Sequence, residues 1–166
     1  MMEGWGGREY QNGRRLVCFV REQSLSRVTI NIQKHESCNG HEEKPYVVIS
    51  CIQLPDRDGF WVTSFDIVRL AEYILDIPLN TDMKNRARRN MASVDYTTLP
   101  RIARQAGKKD SFYTVMDFGE PKPRSIEKSL KVYKWNVLHV CLSKILYRFV
   151  CLARFFLVRI DLTTRV

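Results

Sequence analysis

Hydrophobic and polar positions change period partway along the chain. Residues 15–20 (RLVCFV) and 27–33 (RVTINIQ) are short runs rich in β-branched and aromatic side chains, joined by the polar stretch EQSLS. This pattern predicts an antiparallel pair of strands. Residues 34–44 (KHESCNGHEEK) are polar and contain Asn39-Gly40, a connecting loop. A third strand is predicted over 46–54 (YVVISCIQL), and the turn PDRDG leads into a fourth at Phe60, Trp61 and Val62.

From Thr63 the period becomes helical. Thr63 or Ser64 can cap a helix whose apolar stripe is Ile67, Leu70, Ala71, Ile74 and Leu75, and Pro78 closes it. A second helix is predicted from the cap Asn80 or Thr81 to about Met91. Its Met83, Ala87 and Met91 form only a narrow apolar side. Residues 95–109 carry Pro100 and Gly107 and read as irregular. Residues 111–118 (SFYTVMDF) suit a short docked helix, which the following GEPKP cannot continue. A last long helix, from near Tyr133, places Leu138, Leu142, Ile145, Phe149 and Leu152 on one side. The order of elements predicts an α+β fold, an N-terminal antiparallel sheet of about four strands followed by three to four helices. Its parts would be a flexible leader over 1–12, a single domain over 13–149 and an atypical apolar-basic tail over 150–166.

Composition adds direction to this frame. The chain of 166 residues carries 27 Lys and Arg against 18 Asp and Glu, a formal charge of +9. Such an excess favours polyanionic partners. It is concentrated, because residues 81–134 hold 13 bases and six acids, an excess of seven in one third of the chain. The five cysteines, Cys18, Cys38, Cys51, Cys141 and Cys151, are scattered and odd in number, and read as reduced and mostly buried. Residues 137–160 are apolar in bulk, but Lys144, Arg148, Arg154 and Arg159 interrupt them. Each such charge costs about 2.5–3.5 kcal/mol at a bilayer centre, so an amphipathic helix is expected there and no membrane partner.

Candidate chemistry is sparse. His35, Cys38 and His41 are spaced like ligands, but zinc normally takes four, so no metal or other cofactor is expected. No nucleophile elbow, phosphate-cradling loop or paired carboxylates in an apolar frame is present, which argues against an enzyme. Asp66 and Glu72 read as a cap-proximal charge and a surface carboxylate, and His139 as a core or edge histidine. The strongest local signal is the basic helix, with Lys84, Asn85, Arg86, Arg88, Arg89 and Asn90. Lys and Arg neutralise phosphates, and Arg or Asn can also pair with purine edges. A proline-stiffened strap adds Lys122, Arg124, Lys128 and Lys131, with Tyr113, Tyr133 and Trp135 nearby as candidate stacking rings.

With these residues named, the chain resembles a domain of medusa-type fungal regulators of conidiation and development. The likeness runs through residues 13–17 (GRRLV), 49–52 (ISCI), 62–64 (VTS) followed by Ile67 and Leu70, 84–90 (KNRARRN), 121–128 (PKPRSIEK) and 131–135 (KVYKW). It spans about residues 13–149. The resemblance implies a nuclear protein acting in transcriptional control of development, and it implies no reaction. DNA is the expected partner, met by the basic helix and the strap. The alternative is a module that recruits acidic proteins of a transcription complex.

Overall fold

A computed structural model describes residues 2–24, 27–35, 46–102, 110–121, 129–152 and 159–164. Its centre is a seven-stranded sheet in the order β5-β6-β4-β3-β1-β2-β7. The strands are β1 (Arg14–Ser24), β2 (Arg27–Lys34), β3 (Tyr46–Gln53), β4 (Phe60–Thr63), β5 (Tyr96–Pro100), β6 (Ser129–Lys134) and β7 (Arg159–Thr164). β1 to β6 pair antiparallel, while β7 lies parallel to β2, with Val28 opposite Ile160. Five α-helices are described: α1 (Gly7–Asn12), α2 (Ser64–Leu75), α3 (Thr81–Asn90), α4 (Ser111–Met116) and α5 (Leu138–Leu152).

The α+β class follows the sequence pattern, but the sheet is larger than four strands. Residues 96–100, expected to be irregular, form β5, and the helix expected from Tyr133 is preceded by β6. β6 alternates exposed Ser129 and Lys131 with buried Leu130 and Val132, a period-two pattern hidden inside a basic stretch. Segment 1–12, read as a leader, carries α1 and buries Trp5 against Phe60, ring centroids 4.8 Å apart. Of the tail, residues 159–164 add β7.

Helices cover the sheet unequally. Ile67, Leu70 and Ile74 of α2, Ala87 and Met91 of α3, and Leu142, Ile145 and Phe149 of α5 share one core with Val17, Phe19, Ile30, Ile49 and Tyr133 of the sheet. Each fully buried aliphatic there is worth about 1.5–3 kcal/mol of transfer free energy. On the opposite face α4 packs Phe112 and Val115 against Ile52, Trp61, Leu99, Leu130 and Val132. Cys18 lies on that second face too, and it is disulfide-bonded, whereas Cys51 and Cys141 are free and buried. This corrects the reading of all five cysteines as reduced: their spacing holds no information about which of them the topology brings together.

Local signals set the helix ends. The Thr63 hydroxyl oxygen accepts the Asp66 N–H at 3.0 Å and starts α2, and Asp76 ends it in the left-handed region at φ 56°. Gly13 ends α1 at φ 60°, and a Cβ there would sit 2.8 Å from the Gln53 carbonyl oxygen. Gly13→Ala should therefore cost about 1–3 kcal/mol, combining left-handed strain with a backbone clash. A chemical denaturation midpoint equal to wild type would contradict that account.

Candidate nucleic-acid interface

α3 is set by its cap and its narrow apolar side. The Asn80 side chain accepts the Met83 N–H at 2.9 Å, while Ala87 and Met91 are buried in the core. With about 100° per residue, burying Ala87 aims Asn85 and Arg89 outward, Lys84 and Arg88 along the flank toward α2, and Arg86 with Asn90 along the other flank. Asn85, Arg86, Arg88 and Arg89 are exposed. Among the described residues none of the three arginines makes an ion pair, and Arg88 donates to the Asn85 side-chain oxygen at 3.2 Å. Arg88 and Arg89 also suit the negative end of the helix dipole, an effect worth about 0.3–1 kcal/mol that needs no ligand.

Two predicted site residues are otherwise engaged. Lys84 Nζ lies 3.2 Å from Glu72 Oε2, and the other oxygen of Glu72 accepts the Leu79 N–H at 2.7 Å. Glu72 thus braces α3 against the end of α2, more than the surface carboxylate expected. Asn90 is half-buried, its side-chain nitrogen unpartnered, so it is a poor candidate to meet a base edge.

The strap is only partly described. Lys122, Arg124 and Lys128 lie outside the described residues, as do Cys38 and His41. The strap's first residue is anchored by Arg14, which donates to the carbonyls of Gly119 and Pro121 and to Ser50 Oγ, and lies over the Phe118 ring. Arg14 stands opposite Ile52 across the β1–β3 pair, on the α4 face of the sheet. That is the face away from α3, so Pro121 and the basic helix are not side by side. Lys131 is exposed and sits 4.2 Å from the centre of the Tyr96 ring. By alternation along β6 it shares the face of Tyr133, which is also the face of α3. Tyr133 and Trp135 are core side chains, buried to 1% and 8% exposure, and so are unavailable for stacking on bases. His139 is exposed, unlike the core or edge position expected for it.

Sequence reasoning placed Asp66 beside the helix cap, as its bonds to Thr63 bear out, but did not place it in the interior. It is buried to 1% exposure, its Oδ2 accepts the Thr63 hydroxyl at 3.0 Å, and Oδ1 has no partner. Burial pushes its carboxyl up to about 6, against the opposing pull of Thr63 and the positive charges of Arg69 and Arg14. Among the described residues no group of three or more His, Cys, Asp or Glu could hold a metal ion, and no helix is long and apolar enough to cross a membrane.

Fold and surface together define a small α+β domain whose three-helix layer presents one arginine-rich helix. Residues 1–146 match a family described as a domain of unknown function, DUF7082, and the chain belongs to that family. No curated protein and no solved structure matches it.

Proposed function

We propose that this chain is a non-enzymatic transcription-regulatory domain of a fungal developmental regulator, which acts in the nucleus and meets DNA phosphates through α3. One observation carries the DNA contact: Arg86, Arg88 and Arg89 project from a helix held rigidly by its cap and core, and none of them forms an ion pair with an acid among the described residues. Three unpaired guanidinium groups within one helical turn suit a phosphate backbone, where each contact releases a counterion. Lys131 is a secondary contact on the same sheet face. The resemblance to medusa-type regulators supports the regulatory and nuclear parts. With Cys18 disulfide-bonded the cysteines do not point to a reducing compartment, and the location rests on the resemblance alone.

Fluorescence anisotropy with labelled duplex DNA across a salt series tests the reading. Wild type should bind steeply salt-dependently. Changing Arg86, Arg88 and Arg89 together to Ala should weaken binding about tenfold or more at low salt and reduce the log–log salt slope by about 2–3. A folded wild-type domain that binds no duplex at low salt sinks the proposal.

A further inference from the structure

Arg88 and Lys84 do not point to the outer pole of α3. They line one wall of a groove of about 640 Å³ between α2 and α3, which Arg69 of α2 also lines. That size falls within the range of pre-formed ligand sites. Its lining also includes Phe65, Val68 and Leu79; Val68 and Leu79 are almost wholly buried and Phe65 is half-buried. Glu72 is the carboxylate lining the groove, and both its oxygens are already engaged, by the Leu79 N–H and by Lys84. Three cations line the groove against that one acid; with the buried Asp66, on which the charge of Arg69 acts, one positive charge remains in excess, and Arg69 also donates to the Val48 carbonyl at 2.8 Å. Thr81, the first residue of α3, is exposed on its lining, where the positive end of the helix dipole adds to the field.

We propose that the α2–α3 groove docks an acidic peptide segment of a partner protein, with one apolar side chain set against Phe65, Val68 and Leu79 and its carboxylates on Arg69, Lys84 and Arg88. This goes beyond the DNA reading, with which it shares Arg88; Arg86 and Arg89, on the other flank and the outer face of α3, lie outside the groove lining. A duplex backbone is convex and brings no apolar group to cover the floor of a groove, whereas an acidic peptide with a Leu or Phe complements both the charge and the apolar surface. The cations at the rim steer the encounter and the apolar anchor holds the complex.

The test is fluorescence anisotropy of the full chain with a labelled Glu/Asp-rich peptide that carries a central Leu and Phe. Arg88→Glu and Thr81→Glu are the informative variants, because both positions are exposed and Thr81→Glu adds an acid where a helix start tolerates one. Each should raise the Kd at least about tenfold, while the charge-matched control Arg8→Glu on α1 leaves it within about twofold. Replacing the Leu and Phe of the probe by Ser should weaken binding by a similar factor. No binding by wild type, or equal Kd values in Arg88→Glu, Thr81→Glu and Arg8→Glu, overturns the proposal. Two further outcomes also overturn it: duplex DNA that loses as much affinity as the probe in Thr81→Glu, a position the DNA reading does not use, assigns the groove to nucleic acid. A wild-type dimer that Arg88→Glu makes monomeric assigns it to a second copy of the chain.

Discussion

Glu9→Ala should lower the unfolding free energy by about 3–5 kcal/mol, more than any surface substitution, because it leaves the guanidinium of Arg15 buried without its counter-charge. Arg15 is 2% exposed and lies over the Trp5 ring, 5.3 Å from its centre. Its Nε and Nη2 donate to the two carboxylate oxygens of Glu9 at 2.6 and 2.7 Å, and its remaining donors reach the carbonyls of Glu3 and Gly4. The pair holds Glu9 below the usual carboxylate range, first through the hydrogen bond from Arg15, and raises Arg15 further by the same bond. Because the folded pKa of Glu9 is depressed, its contribution is present above the unfolded value of 4.5 and is lost as the pH falls through the folded one. The double variant Glu9→Ala/Arg15→Met should recover much of the loss, since no charge is then stranded. Urea denaturation measures both. A Glu9→Ala loss under about 1 kcal/mol would show that the clasp contributes no more than an exposed pair.

Asp66 acts in the opposite direction. Its carboxyl is pushed up to about 6 by burial, from 3.8, so the folded state holds its proton more tightly than the unfolded chain does. Stability from this group therefore falls as pH rises between about 4 and 6, and above that window the buried charge costs up to about 3 kcal/mol. Asp66→Asn should raise the unfolding free energy at neutral pH by about 1–2 kcal/mol, because relief of the buried charge exceeds the roughly 0.5 kcal/mol lost from the helix start. It should also flatten the difference from wild type below pH 4. Measured stabilities that differ by a constant amount from pH 4 to 7 would refute this account of Asp66.

The first four strands and the capped helices α2 and α3 were legible because each carries its signal locally: β-branched runs between polar turns, Thr63 and Asn80 at helix starts, and Pro78 after a stop. β5 and β6 were not. Thr97 and Thr98 in β5 are polar and Pro100 ends the strand, which together resemble a loop, and the Leu130–Val132 alternation is only a few residues long between lysines. The candidate site was half legible for a related reason. Periodicity places Arg86 and Arg89 away from Ala87, but α3 alone cannot show that Lys84 meets Glu72, that Arg88 lines a groove with Arg69, or that Asp66 is entombed. The first two facts depend on how α2 lies beside α3, and the third on how the start of α2 lies against β1 and β3. Asp66 did carry one readable signal, an acid three residues after a capping Thr, a spacing that joins the two side chains.

The insertion of β6 between β4 and β5 bears on how the chain acquires its shape during synthesis. β2-β1-β3-β4 pair through neighbouring segments and can assemble as soon as Thr63 has left the ribosome. Thr63, however, stands opposite Val132, and Leu99 opposite Leu130. Until the nascent chain reaches that point, β4 presents an open backbone edge and β5 has nothing to pair with, a long loop closure that slows folding and invites edge-to-edge association. Cells making this protein should accordingly lose more of it to aggregation when translation stalls between residues 64 and 128 than when it stalls after α5.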